Sequence, residues 1–240
     1  DAPYSRPDII SAGYSTTDLK AGGYSADELQ TGGYTIGQLE TANYNRTDIL
    51  AAGYSAIDLK SGGYSADELQ TGGYTIGQLE TANYDRTNII GAGYSATDLK
   101  TKGYSADELQ TGGYTIGQLE TAIYDRTDII GAGYSATDLK TEGYSADELQ
   151  TGGYTIGQLE TANYERSDIV AAGYNATDLK TEGYSADELQ TSGYTIGQLE
   201  TANYDRTDIV GAGYSATDLK AEGYSADELE TGGYTIGQLE

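Results

Sequence analysis

The chain has 240 residues, of which 38 are acidic and 13 basic, and its formal net charge is −25. Such a charge repels nucleic acids and anionic membrane surfaces, and no apolar run approaches the roughly 18–20 residues that span a bilayer. Cys and His are both absent, which excludes disulfides, thiolate metal sites and thiol catalysis. We therefore predict a soluble protein, extracellular or cytoplasmic, without nucleic-acid binding or membrane insertion.

A period of ten residues runs through the whole chain. Counted from Asp1, every block of ten has Tyr at its fourth place and Leu or Ile at its ninth, without an insertion or deletion. A fixed period predicts stacked units rather than one globular core. We predict a single repeat array over residues 1–240, made of 24 decamers.

A second period of forty residues is superimposed on the first. Four decamer types follow one another in fixed order six times; residues 41–50, 51–60, 61–70 and 71–80 are examples of the first, second, third and fourth types. The larger period indicates either four decamers per turn of a superhelix or the duplication of a forty-residue segment.

The two ends of the chain differ. The first decamer contains Pro3 and Pro7, and Pro is tolerated near a helix start, so residues 1–10 are predicted to be an edge unit. The chain stops at Glu240 after a complete decamer without a polar capping module. This indicates an array cut from a longer one, or a last coil left open for end-to-end contact.

Each decamer predicts one short capped helix followed by a turn. Ser25 has the place of an N-cap, and Glu28 completes a capping box three residues later. Only Glu165 departs from Ser, Thr, Asn or Asp at position five. Position three is Gly in 18 decamers and Asn in four, which predicts the left-handed residue after a helix. Pro3 and Ile123 are the exceptions.

Tyrosine and leucine are predicted to form the core. Tyr24 and Leu29 have the places of a hydrophobic staple, and Tyr34, after the turn at Gly33, should contact Leu29 again. Helices of six or seven residues are too short to persist alone. The prediction is an all-α solenoid of ten-residue units with a Tyr–Leu ladder, stabilised cooperatively by neighbouring units.

A β-fold is the alternative. The stretch Ala82–Gly91 resembles the pentapeptide repeats of right-handed quadrilateral β-helices. In such a coil, however, the places of Asp27, Lys102 and Glu142 would point inward and bury charges without partners.

No residue pattern indicates catalysis, a cofactor or a metal. The Gly-rich stretches lack a complete phosphate-binding motif, and the Ser and Thr residues at position five have no His partner. Acid pairs recur without the converging oxygen ligands that calcium requires, and we predict that they stabilise helix N-termini. They are Asp27–Glu28, Asp67–Glu68, Asp107–Glu108, Asp147–Glu148, Asp187–Glu188 and Asp227–Glu228.

Three further residue types recur at fixed spacing. The arginines are predicted to form salt bridges with adjacent acidic units, whereas Lys20 and its equivalents should favour helix C-termini without needing a partner. Thr at position one could form a regular array, as in ice-binding solenoids, although Ser11, Ala21, Ala51 and Gly91 interrupt it. The arginines are Arg6, Arg46, Arg86, Arg126, Arg166 and Arg206.

The sequence GYSADELQTGGYTIGQLE resembles the AG-aromatic-S-A-x-E-L-K-x decapeptide repeats of many microbial proteins, most of which have no assigned function. The resemblance covers the whole chain and implies a short-helix solenoid without catalytic residues. We therefore expect a non-enzymatic scaffold or spacer that binds protein partners through exposed positions two, six, seven and ten, or that self-associates end to end. The alternative is a surface-binding protein, for ice through its Thr columns or for glycans.

Overall fold

The computed structural model describes residues 4–240, and these form 24 short helices, one in each decamer, without a strand. The all-α prediction is thereby confirmed, and the β-helix alternative is not supported. Pro7 lies in the first turn of the first helix, while Pro3 is outside the described residues. The chain divides into two compact units, Asp1–Tyr124 and Asp125–Glu240. A single array over residues 1–240 stays a prediction.

The helices of the first unit are α1 Arg6–Ser11, α2 Thr16–Ala21, α3 Ala26–Thr31, α4 Ile36–Thr41, α5 Arg46–Ala51, α6 Ala56–Ser61, α7 Ala66–Thr71, α8 Ile76–Thr81, α9 Arg86–Gly91, α10 Ala96–Thr101, α11 Ala106–Thr111 and α12 Ile116–Thr121. Those of the second unit are α13 Arg126–Gly131, α14 Ala136–Thr141, α15 Ala146–Thr151, α16 Ile156–Thr161, α17 Arg166–Ala171, α18 Ala176–Thr181, α19 Ala186–Thr191, α20 Ile196–Thr201, α21 Arg206–Gly211, α22 Ala216–Ala221, α23 Ala226–Thr231 and α24 Ile236–Leu239.

The helices begin at position six, after the predicted N-cap. In third-type decamers the Glu28 carboxylate accepts from both the N–H and the hydroxyl of Ser25, at 2.8 and 2.9 Å. In fourth-type decamers the N–H of Thr35 donates to the Gln38 side chain at 2.8 Å. The predicted capping boxes of these two types are confirmed.

Capping is weaker in the first decamer type than the sequence predicts. Asn45 accepts from the N–H of Asp48 at 2.8 Å. Asp85, Asp125 and Asp205 make no side-chain cap hydrogen bond, and neither does Glu165. The prediction was therefore wrong for the three Asp residues. Their carboxylates still lie at the positive end of the helix dipole, which favours them without that bond.

The helices end in the predicted left-handed turn. Gly33 has a φ of 85°, its N–H donates to the Gln30 carbonyl at 3.0 Å, and the N–H of Tyr34 donates to the Leu29 carbonyl at 3.0 Å. These two bonds form a Schellman motif and satisfy carbonyls that the helix leaves unpaired. Ile123, the exception in sequence, takes the same conformation with a φ of 62°.

Within each unit a coil contains two decamers. Each helix packs against the helix two places further on, as α3 does against α5 and α6 against α8. The odd-numbered helices thus form one row, the odd row, and the even-numbered helices another, the even row. The forty-residue period therefore corresponds to two successive coils and not to one turn of four decamers.

The ladder residues form the core between the two rows. Leu29, Leu39 and Leu59 are completely buried, and Tyr44 and Tyr54 are each 8% exposed. Position six is also buried in three of the four decamer types, because it points inward beside the ladder. Its residues there are Ala26, Ile36, Ala56 and their equivalents as far as Ile196. The prediction that position six is exposed was therefore wrong for these residues, but it is confirmed where the residue is Arg and at Ala226 and Ile236.

Replacing Ile123 by Asn should stabilise the first unit. A β-branched residue is strained in the left-handed region, where the cost for L-residues is about 1–2 kcal/mol, and the 77% exposure of Ile123 means that little buried surface is lost. We expect the free energy of unfolding, measured by urea denaturation with circular dichroism, to rise by about 1 kcal/mol. The reverse change, Asn83→Ile, should lower it similarly. Unchanged stability in both variants would contradict strain at this position.

Candidate functional site

Tyrosine hydroxyls connect each coil to the preceding one. Tyr54 donates to the carbonyl of Tyr34 at 2.5 Å, and Tyr74 donates to the carbonyl of Tyr54 at 2.5 Å. The tyrosine carbonyl lies between two helices and has no donor in either, so a donor from the next coil satisfies it. In the odd row, Tyr44 likewise donates to Tyr24 at 2.5 Å.

Each arginine binds a third-type decamer in the next coil. The Nε and Nη2 atoms of Arg46 donate to the two carboxylate oxygens of Glu68 at 2.7 and 2.9 Å, and Nη2 also donates to the Gly63 carbonyl at 3.0 Å. The guanidinium lies 3.7 Å from the ring centroid of Tyr64. This is a bidentate pair combined with a cation–π contact.

The salt-bridge prediction for the arginines is thus confirmed, but the principal partner is not a neighbour in sequence. It is the capping-box Glu, 22 residues further on. The hydrogen bonds from Arg46 lower the pKa of Glu68 to about 2, with those from Ser65 acting in the same direction and burial opposing them. One carboxylate therefore serves both its own helix start and the contact between two coils.

The lysines of the second decamer type have partners, contrary to the prediction. Lys20 Nζ donates to the carbonyls of Asn43 and Ala42, at 2.5 and 3.2 Å, and lies 4.9 Å from the ring centroid of Tyr44. The cation therefore binds the C-terminus of α4, two helices away, where the helix dipole is negative. Lys60 has the same contacts with Asn83 and Tyr84.

The series of tyrosine hydroxyl bonds in the odd row is interrupted at the tyrosines covered by arginine. The Tyr104 hydroxyl is buried and, unlike that of Tyr84, does not donate to the carbonyl of the tyrosine one coil earlier. Burial, together with the nearby Glu80 carboxylate, raises the pKa of Tyr104. The hydroxyls in this state are those of Tyr64, Tyr104, Tyr184 and Tyr224.

Several clefts open beside tyrosines of the even row, and two of them lie at equivalent places in the repeat. The first has a volume of about 670 Å³, and the second, at the equivalent place three forty-residue repeats later, about 450 Å³. The first cleft includes Gln30, Tyr34, Glu40, Tyr54, Asp58 and Gly62 in its lining. The second includes Gln150, Tyr154, Tyr174, Asp178 and Glu182.

Neither cleft is lined by a cationic side chain among residues 4–240. Tyr34 is half-buried and so presents part of its ring. Burial raises the pKa of Tyr54 to about 12, with a smaller effect from the neighbouring Tyr64 and Asp58. The first cleft therefore offers phenol rings beside carboxylates and an amide, and the phenol of Tyr54 is uncharged at neutral pH.

The Thr residues at position one form a more continuous array than their order in sequence indicates. Because a coil holds two decamers, Ser11, Ala51 and Gly91 all lie in the odd row, and only Ala21 of the four interruptions lies in the even row. The even row of the first unit carries the exposed series Thr41, Ser61, Thr81, Thr101 and Thr121. The Thr41 hydroxyl donates to the Gly37 carbonyl at 2.7 Å, which holds this side chain in one orientation.

The acid pairs are divided between two environments. Asp27 is exposed, whereas Glu28 pairs with Arg6 at 2.5 Å. No group of three acidic side chains within residues 4–240 is arranged to hold a metal ion.

None of the helices within residues 4–240 is both long and apolar enough to span a membrane.

A family model described as a decapeptide repeat region matches residues 1–66, 63–136, 133–206 and 183–240. The matches together cover the chain, in agreement with the resemblance seen in its sequence. No curated protein shows significant similarity.

Replacing Glu108 by Gln should remove the ion pair with Arg86 but keep the capping box, because Gln118 accepts from the N–H of Thr115 in the same way. Hydrogen bonds from Arg86 lower the pKa of Glu108 to about 2, against about 4.3 for an unfolded Glu. The stabilisation is therefore complete above the unfolded pKa and is lost as the pH falls from about 4.5 towards 2. We expect the wild type to be more stable by about 0.5–1 kcal/mol at neutral pH, with the difference disappearing in acid.

Urea denaturation at several pH values measures this difference. The control is Gln118→Glu, which places a carboxylate in a capping box whose opposite residue is Ala96 instead of an arginine. The contribution of this new carboxylate to the free energy of unfolding should depend less on pH than the contribution of Glu108 does. A stability difference between the wild type and Glu108→Gln that is constant from neutral pH to pH about 2 would show that the ion pair does not stabilise the fold.

Proposed function

Because the chain belongs to the family of decapeptide repeat regions, we propose that it is a non-enzymatic scaffold that binds a protein partner through exposed positions of its repeats. The cations support this proposal. Arg46 and Lys60 both bind the next coil, so their repeated interactions build the framework. The residues that could recognise a partner are then those that face solvent and differ between repeats.

Variation at position two is the observation that carries the proposal. Ala42 occupies this place in a first-type decamer and is 5% exposed. In third-type decamers the place faces solvent or is half-buried, and its side chain changes in size and charge from one repeat to the next. The fold does not require this variation. The residues are Gly22, Gly62, Lys102, Glu142, Glu182 and Glu222.

A pair of matched baits tests the scaffold. One is the wild type, and the other has Lys102, Glu142, Glu182 and Glu222 replaced by Gly, as at Gly22 and Gly62. Circular dichroism should show the same helical fold for both baits. A partner captured from the source organism and then purified should bind the wild type saturably and the uniform variant about tenfold more weakly, a change of about 1.4 kcal/mol.

Equal binding of the purified partner to both baits would show that the variable positions do not recognise it. The absence of any saturable partner would remove the scaffold function and leave a role as a spacer.

Ice binding is the second candidate, and the exposed Thr and Ser series from Thr41 to Thr121 in the even row favours it. Thermal hysteresis measures this function directly. We expect Thr101→Lys, in the even row, to abolish any hysteresis, while Thr111→Lys, in the odd row, retains it. A wild-type protein without hysteresis would remove this candidate.

A further inference from the structure

We propose that the two equivalent clefts, one between Tyr34 and Tyr54 and the other between Tyr154 and Tyr174, bind Lys or Arg side chains of a partner, so that the partner is a protein with an exposed basic segment. This inference rests on the proposed scaffold function and specifies the chemistry of its partner.

The chain itself shows how its tyrosines bind cations. The guanidinium of Arg46 lies over Tyr64 and is held by a carboxylate and a backbone carbonyl. The ammonium of Lys60 lies 5.0 Å from the ring centroid of Tyr84 and donates to the Asn83 carbonyl. In the odd row, a tyrosine ring with oxygen acceptors beside it is thus repeatedly a cation site.

The clefts contain the same groups without the cation. Within residues 4–240, no Lys or Arg stacks on the tyrosines of either cleft, which are Tyr34, Tyr54, Tyr154 and Tyr174. Glu40 and Asp58 supply carboxylates in the first cleft. Asp178 and Glu182 supply them in the second.

Charge selects the class of ligand. The carboxylates disfavour an anion, and the net charge of −25 attracts a basic segment over a longer distance. Part of the Glu40 carboxylate is already engaged, since it lies 3.7 Å from Arg46 Nη1, but its side chain remains 39% exposed. A second cation can therefore approach it from the cleft.

Lys102 shows that an ammonium group fits this place. It occupies the position equivalent to Gly62, forty residues later. Its Nζ lies 3.4 Å from the point that a Cβ on Gly77 would take, and Gly77 is the equivalent of Gly37 in the lining of the first cleft. At the place equivalent to the first cleft, forty residues later, the chain thus holds a cation of its own.

A neutral oligosaccharide could also use the rings and the amide. It would leave the carboxylates without a cation, however, and the structure therefore favours the basic segment.

The test uses the whole chain and a fluorescein-labelled peptide in which four arginines are separated by pairs of glycines. A second peptide carries citrulline, which is similar in shape but uncharged, in place of arginine. Fluorescence anisotropy at physiological salt measures affinity, and calorimetry measures the number of peptides bound. We expect the arginine peptide to bind at least about threefold more tightly than the citrulline peptide, consistent with a solvent-exposed cation–π contact.

Two variants change the clefts in opposite directions. Gly62→Lys reproduces the arrangement at Lys102 and should close the first cleft, weakening peptide binding about threefold to tenfold. Lys102→Gly should open an equivalent cleft and increase the number of peptides bound. The controls place the same charge changes on exposed positions of the odd row: Thr47→Lys for the first variant and Thr87→Asp for the second. They should alter binding much less.

Equal effects of Gly62→Lys and Thr47→Lys would show that the peptide responds only to net charge, and would overturn the inference. Equal binding of the two peptides would do the same. Binding of a cellulose oligosaccharide that Gly62→Lys blocks, without binding of the arginine peptide, would identify a glycan site instead.

The scaffold function is judged separately by the matched baits. If a protein partner binds saturably but the peptide experiment fails, only the inference that the partner carries a basic segment is overturned. Peptide binding at the clefts without any saturable protein partner would remove the scaffold function.

Discussion

The structure depends on how the peptide group of each tyrosine is satisfied. This residue lies between two short helices, where its carbonyl has no intrahelical donor. In the even row the hydroxyl of the tyrosine one coil later supplies that donor, as between Tyr74 and Tyr54. One side chain thus fills the core with its ring and fixes the neighbouring coil with its hydroxyl. A six-residue helix, too short to persist alone, is stabilised because it cannot leave without breaking the contacts of two coils.

Charge pairing explains why the sequence repeats every forty residues although a coil contains only twenty. The odd-row tyrosines are covered alternately by arginine and lysine, as Tyr64 is by Arg46 and Tyr84 by Lys60. Arginine requires the carboxylate of Glu68, whereas lysine uses helix-terminal carbonyls. Two kinds of coil contact therefore alternate, and four decamer types are needed to encode them. Because these cations are engaged internally, the solvent-facing surface remains strongly acidic.

The sequence predicts the parts of the fold that depend on near neighbours. The capping box of Ser25 and Glu28 and the turn at Gly33 follow from local spacing, and both are present. The number of decamers in a coil does not follow from such spacing. For that reason the partner of Arg46 could not be identified: Asp48 is closer in sequence, but Glu68 becomes the neighbour only when a coil is two decamers long. The clefts were missed for the same reason, since their walls come from different coils.

Position two shows how a repeat framework can acquire different sites without a change of fold. The backbone is nearly the same at Gly62 and Lys102, where φ is −79° and −91°. The side chain alone decides whether the adjacent cleft is open or receives an ammonium, and Glu182 makes the corresponding wall of the second cleft acidic. Recognition can thus vary between repeats at position two of the third-type decamers, which carries none of the coil-to-coil hydrogen bonds described for the tyrosines, arginines and lysines. A repeat protein built in this way can change what it binds one coil at a time while its core remains unaltered.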